Sequence, residues 1–240
     1  MKYFIANTNR SQSTGYRAEV FDRQWLLQRL YDSLQFKDRV LLGKRVAHIS
    51  HNERYVEVTT DKGDVFRGTM VVGADGIHSV VRREMHRIGH NLQPGYFPVD
   101  EDSRVPCYFL LIFGISEDVP QWVQGDCGMV VGDEISNFYV SGPNGRVYWI
   151  MFYRLPEVKY GKDVPKCTKE MEDGLVQRYW ESTVTSKVTF GHLYSKRTFS
   201  TLTPLHEYTY KRWFFKRMVT IGDSAHKVSP HETQFQSNRN

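Results

Sequence analysis

The stretch TMVVGADGIHSVVRREM, residues 69–85, decides how this chain is read. Met70, Val71 and Val72 form a short, unbroken apolar run, the signature of a strand covered on both faces. The run stops at Gly73-Ala74-Asp75-Gly76, a turn that asks for positive φ or close backbone approach. Ser79 then stands where a helix N-cap belongs, and Val80 opens an amphipathic segment. Strand, glycine turn and capped helix together form the geometry that places ligands at the carboxyl end of a sheet.

Working outward, residues 55–67 (YVEVTTDKGDVFR) alternate as a strand, turn at Asp61–Asp64, and return as a hairpin. Residues 21–34 (FDRQWLLQRLYDSL) predict a helix. Trp25, Leu26, Leu30 and Leu34 recur near helical spacing, and Asp22 is placed to cap the start. Arg23 then falls in the first turn, where the helix dipole disfavours a cation unless an anion is near. From about Asn91 the texture changes. CYFLLIFGIS, SNFYVSG and RVYWIMFY are aromatic and β-branched, and Gly142–Gly145 marks a tight hairpin between the last two. Residues 97–195 therefore predict a mostly antiparallel sheet. One helix interrupts it near residues 168–182, with Met171, Leu175 and Tyr179 on one face. At residues 218–223, MVTIGD restores the buried-strand texture of residue 70. The fold class is mixed α/β (α+β): a partial three-layer domain (1–96) interrupted by the sheet region (97–195) and resumed over 196–240.

Composition excludes several classes. The chain has 240 residues and is 14% aromatic, enough to build a core rather than remain disordered. Its net charge of +5 is scattered as pairs such as Lys44-Arg45 and Arg82-Arg83, which does not make a nucleic-acid footprint. No apolar run is long enough to span a membrane, and the opening MKYFIANTNR is too short in apolar residues for a signal peptide. The three cysteines are odd in number and widely spaced, which fits an intracellular, reducing compartment, cytoplasmic or membrane-peripheral. His48 with His51, and His86 with His90, have spacing compatible with shared metal ligation. No cysteine or acidic partner completes a set, so no metal site is expected. The sequence does not set an oligomeric state.

Two acidic turns follow buried strands, Asp75 after MVVGA and Asp223 after MVTIG. A carboxylate there accepts hydrogen bonds from sugar or ribityl hydroxyls, while adjacent backbone N–H groups suit phosphate or an anionic ring. GADGIHSVVR resembles the DG motif, and GDSAHKVSP the GD motif, of flavin-dependent aromatic hydroxylases, the single-component group typified by p-hydroxybenzoate hydroxylase. DRQWLLQRLYDSL resembles their helix with an FAD-contacting arginine, here Arg23. FGIS, GRVYWI and GDSAHKVSP are most similar to the fungal branch that epoxidises prenylated polyketides, meroterpenoids and indole diterpenes. The resemblance implies a partial FAD-binding domain around a substrate-binding sheet. It implies FAD and NADPH as cofactors, and molecular oxygen as co-substrate. One oxygen atom would pass to an electron-rich ring or alkene of a small aromatic or prenylated molecule. Asp223 would bond the ribityl chain. Asp75, with Ser79 and Arg82 bracing its turn, would lie where flavin and nicotinamide meet. Tyr108, Tyr139 and Trp149 are candidates for lining the substrate wall, and Tyr108 is singled out as a catalytic candidate.

Two departures from the family pattern are visible. No two glycines anywhere in the chain are separated by one residue, so a Gly-x-Gly-x-x-Gly turn for the ADP half is absent. Beyond Pro230, Thr233 and Phe235 stand where glycines would let the backbone approach the flavin. The chain therefore resembles the middle of a flavoprotein, truncated at both ends, and weak FAD affinity is expected. The alternative is a catalytically inactive remnant acting as a binding or interaction protein.

Overall fold

The computed structural model describes residues 2–4 and 20–227. The pattern at Thr233 and Phe235 lies outside the described residues. In chain order the first elements are β1 (Lys2–Phe4), α1 (Arg23–Asp32), β2 (Val46–His51), β3 (Val56–Thr60), β4 (Val65–Gly68), β5 (Val71–Gly73) and α2 (Val80–Leu92). The middle of the chain gives β6 (Pro106–Ser116), β7 (Cys127–Val131), β8 (Ile135–Ser141), β9 (Val147–Tyr160), α3 (Lys169–Arg178) and α4 (Phe190–Ser195). It ends in β10 (Arg197–His206), β11 (Tyr208–Thr209), β12 (Phe214–Phe215), β13 (Met218–Thr220) and β14 (His226–Lys227). These elements form two compact units. The first comprises Met1–Gln35, Cys107–Lys159 and Val164–Leu205; the second comprises Phe36–Pro106, Tyr160–Asp163 and His206–Asn240.

The first unit is built on a six-stranded sheet of order β1-β7-β8-β9-β6-β10. β8 pairs antiparallel with β9 from Ile135↔Tyr153 to Ser141↔Val147, closing on the short turn at Pro143–Gly145. Alternation sends Leu110, Ile112, Tyr139, Val147, Trp149 and Met151 into one core, where they meet Val176, Phe190, Leu193 and Tyr194 from α3 and α4. Met171, Leu175 and Tyr179 of α3 pack against that core, as their spacing predicts. Tyr139 and Trp149 are 6% and 1% exposed. Trp149 meets Phe190 edge-on at 5.2 Å and donates its indole N–H to Ser116 Oγ at 2.8 Å. Both rings serve packing, and the substrate-wall expectation for them gives way to the core. The opposite face carries Leu111, Phe113 and Ile115 of β6 and the cross-strand row Met129↔Phe138↔Ile150, all half-buried. α1 also belongs to this unit and buries no residue.

The second unit holds two three-stranded sheets, β2-β3-β4 and β12-β13-β5, and the ribbon β11-β14. The hairpin predicted at residues 55–67 is present, with Thr59 opposite Val65. α2 closes the unit by laying Val81, Met85 and Ile88 onto Ile49, Val56, Phe97, Phe215 and Met218. No helix among the described residues is long and apolar enough to cross a membrane.

Candidate functional site

The two short apolar runs at residues 71 and 218 become neighbouring strands. β5 and β13 pair in parallel, Val71 opposite Met218 and Gly73 opposite Thr220, although 147 residues separate them in the chain. Both turns therefore leave the same sheet at the same end. Ile221 N–H donates to the Gly73 carbonyl at 2.9 Å, carrying the ladder one step beyond the strands. A Cβ at Gly73 would lie 2.6 Å from Val81 Cβ, so glycine is what lets α2 start directly over the strand end. Gly76, at φ 79°, then turns the backbone through the left-handed region.

The first turn is set by Asp75. Its Oδ1 accepts from Ser79 Oγ at 2.5 Å and Ser224 Oγ at 3.3 Å; its Oδ2 accepts from the Val80 and Val81 N–H groups at 2.7 and 3.2 Å. Ser79 Oγ in turn accepts from Arg82 N–H at 2.9 Å. A carboxylate offers about four acceptor positions, and all are spent here. Burial raises the Asp75 pKa, but the bonds from Ser79, Val81 and Val80 outweigh it and hold the carboxyl below the usual aspartate range. Asp75 thus shapes the turn and caps α2, and the groups it presents outward are those of the turn it fixes.

The second turn, Gly222–Ser224, is locked to the first. Ser224 Oγ accepts from Gly76 N–H at 3.0 Å. Arg82, 3% exposed, donates to the Ile77 carbonyl at 2.6 Å and the Ser224 carbonyl at 2.8 Å, one in each turn. Its Nε reaches Asp102 Oδ1 at 3.2 Å, and the guanidinium lies 4.0 Å from the centroid of the Tyr210 ring. Tyr210 Oη donates to the same Asp102 oxygen at 2.8 Å. Ser79 and Arg82 brace the turn as the sequence suggested. Ser224, Asp102 and Tyr210 carry as much of the structure but were not read as functional. GDSA at residues 222–225 was a signal for Ser224; nothing local flags the other two.

Asp223 differs from Asp75. Its side chain is 57% exposed and pairs with Lys227 Nζ at 3.7 Å. Its oxygens are therefore available to an incoming hydroxyl. Nearby, His226 stacks on Trp213 with centroids 5.2 Å apart. His78, in the first turn, meets His206 edge-on at 6.3 Å, and burial, then His78 and Lys227, hold the His206 imidazole below the usual histidine range. The structure thus brings Asp75 and Asp223 to one end of one sheet. Arg23 and Tyr108 belong to the other unit: Arg23 is exposed in the first turn of α1, and Tyr108 is exposed near the start of β6. Among the described residues no three His, Cys, Asp or Glu side chains gather as a metal site. His48 is engaged with Glu84 at 2.8 Å.

No protein-family model matches the sequence. Curated relatives do. The chain is 34% identical over 220 residues to the FAD-dependent monooxygenase olcE of Penicillium canescens, covering 92% of this chain and 47% of that protein. It is 32% identical over 224 residues to the FAD-dependent monooxygenase andE of Emericella variicolor, covering 93% and 48%. Among solved structures, Klebsiella pneumoniae HpxO complexed with FAD and uric acid superposes with a TM-score of 0.65 at 19% identity, over 89% of this chain and 50% of that one. The paired acidic turns and interposed sheet thus define the fold of an FAD-binding aromatic-hydroxylase-like protein. Over about nine tenths of its length the chain is homologous to fungal FAD-dependent monooxygenases. It spans about half the length of the curated relatives it matches.

Proposed function

We propose that this chain contributes to an NADPH-driven FAD-dependent monooxygenase that transfers one oxygen atom from molecular oxygen to a prenylated polyketide or terpenoid, by epoxidation or hydroxylation. The observation that carries the reading is the locking of the two acidic turns, through Ser224 and Arg82, at the carboxyl end of the parallel pair β5/β13. That is where open α/β sheets hold nucleotides. FAD, once reduced, supplies the activation of oxygen. The residues supply binding and orientation. Asp223, with its exposed carboxylate, accepts hydrogen bonds from ribityl hydroxyls. Asp75 acts indirectly, holding the backbone of residues 74–78 in the shape the cofactor meets. Arg23 contributes a cationic contact from the start of α1. The half-buried apolar face around Leu111, Phe113, Phe138 and Ile150 suits a prenylated substrate, excluding water from it, and Tyr108 is the candidate hydroxyl for orienting the reacting group. The odd number and wide spacing of Cys107, Cys127 and Cys167 support a reducing, intracellular setting.

The test is an FAD absorbance titration of the purified chain, followed by NADPH oxidation in air. Uptake of FAD that Asp223→Ala weakens about tenfold, the equivalent of ~1.4 kcal/mol, with no loss of folding stability, is the expected result. A chain that takes up no FAD overturns the reading and leaves a non-catalytic interaction protein.

A further inference from the structure

α1 presents Trp25, Leu27, Leu30 and Tyr31 outward and buries none of its side chains, so packing does not fix it. Polar bonds fix its start. Asp22 occupies the N-cap position, yet its carboxylate makes no capping bond. Tyr148 Oη donates to Oδ1 instead, and Arg146 Nη1 donates to Oδ2 at 2.8 Å. Arg146 also donates through Nε to Glu117 Oε1 at 2.9 Å, so the guanidinium bridges two carboxylates. Asp22's partners flank the start of β9: Arg146 closes the turn from β8 and Tyr148 is the second residue of the strand. The Gly142 N–H closes that turn on the Arg146 carbonyl at 2.8 Å. A Cβ at Gly142 would lie 2.1 Å from Tyr148 Cε2, so the missing side chain is the seat of the phenol ring.

Two bonds to the carboxylate, one of them from a guanidinium, outweigh the single backbone N–H bond a cap would give. They also engage both carboxylate oxygens with partners other than Arg23, the next residue. We propose that Asp22, Tyr148 and Arg146 form a latch that seats the first turn of α1 on the β8–β9 hairpin and thereby positions Arg23 for the flavin cofactor. Asp22 is on this view a positioning residue. The cofactor half of the inference rests on the reading of Arg23 given under Proposed function; the latch itself does not. The advantage is pre-organisation: a guanidinium on a frayed helix end loses more freedom on binding than one on a seated end.

The experiment pairs amide hydrogen exchange with FAD titration on the full chain. Tyr148→Phe and Asp22→Asn should each raise exchange across residues 24–34 by about tenfold, the loss of one charged hydrogen bond, with β8 and β9 unchanged. Arg23→Ala should leave that exchange as in the wild type. In the titration, Asp22→Asn should weaken FAD binding when Arg23 is present and add nothing in the Arg23→Ala background. Unchanged exchange in both latch variants overturns the latch. Altered exchange with additive effects on FAD overturns the positioning of Arg23. A wild-type chain that binds no FAD overturns the cofactor role, while the exchange data still decide the latch.

Discussion

Replacing Arg82 by methionine isolates the bond set that holds the two acidic turns together. Methionine keeps most of the side-chain volume, so the cavity term is small. What disappears is the donor to the Ser224 carbonyl, the donor to the Ile77 carbonyl, and the contact over Tyr210. An orphaned buried acceptor costs about 1–3 kcal/mol, and the cation–π contact adds roughly 1 kcal/mol. Asp102 is 47% exposed at its side chain, so water takes Arg82's place there. With about 2 kcal/mol for the buried Ser224 carbonyl and about 1 kcal/mol for the partly buried Ile77 carbonyl, the sum is about 4 kcal/mol, a large share of the roughly 5–15 kcal/mol that stabilises a domain. With a urea slope of about 2 kcal/mol/M, the midpoint should fall by about 2 M. Native-state hydrogen exchange of the β5 and β13 amides against urea reads this in the second unit alone. Arg83→Ala, at an exposed neighbouring position, should stay within about 0.5 kcal/mol of wild type. If Arg82→Met also stays within that margin, the clamp does not hold the turns and the reasoning fails.

Three further outcomes follow from the same geometry. Gly73→Ala drives a methyl to 2.6 Å from Val81 Cβ, which should destabilise the second unit by about 1–3 kcal/mol; thermal unfolding should show Val81→Ala restoring part of the loss, and no rescue would place the strain elsewhere. Asp75 has a folded pKa below its unfolded value of 3.8, so its stabilisation is present above that value and lost as pH falls through the lower folded pKa. Urea titrations from pH 6 downward should therefore give Asp75→Asn a shallower acid loss than wild type, and equal slopes would contradict the assignment. In the first unit, Glu172 is 3% exposed and accepts from Ser200 Oγ at 2.5 Å, Lys169 Nζ at 3.0 Å and Tyr194 Oη at 3.0 Å. Glu172→Ala should cost about 3 kcal/mol by calorimetry, whereas a loss below about 0.5 kcal/mol would mean water already satisfies those donors.

Elements with local signatures were legible in the sequence. The hairpin β3–β4 announces itself by alternation around Asp61–Asp64, and α2 by Ser79 and its amphipathic run. α4 left no trace for two physical reasons. Phe190, Gly191, Leu193 and Tyr194 are all buried, which erases helical periodicity, and the group that reaches back to the Thr189 N–H is His192 Nδ1, where a Glu or Gln would have been recognised. Alternation in β8 and β9 shows two faces but not which one α3 and α4 cover, so the sequence leaves Tyr139 and Trp149 as candidates for the substrate wall as well as the core. Asp22 looked like an N-cap because its true partners, Tyr148 and Arg146, stand more than 120 residues away. Asp75 and Asp223 were found as separate turns, and only the parallel register of β5 with β13 makes them one place. Sequence carries the bends; the pairing that unites them is long-range.

Of the five tryptophans, Trp25, Trp122, Trp149 and Trp180 belong to the first unit and Trp213 alone to the second. Trp213 is tied to its surroundings on three sides: its indole N–H donates to the Tyr210 carbonyl, its own carbonyl accepts from Thr220, and its ring lies flat on His226 at the exit of the second acidic turn. The molecule thus carries a native fluorophore beside the proposed flavin site, with an imidazole quencher in contact. Conservative replacement of the other four would leave emission whose intensity reports occupancy of that turn without any attached dye.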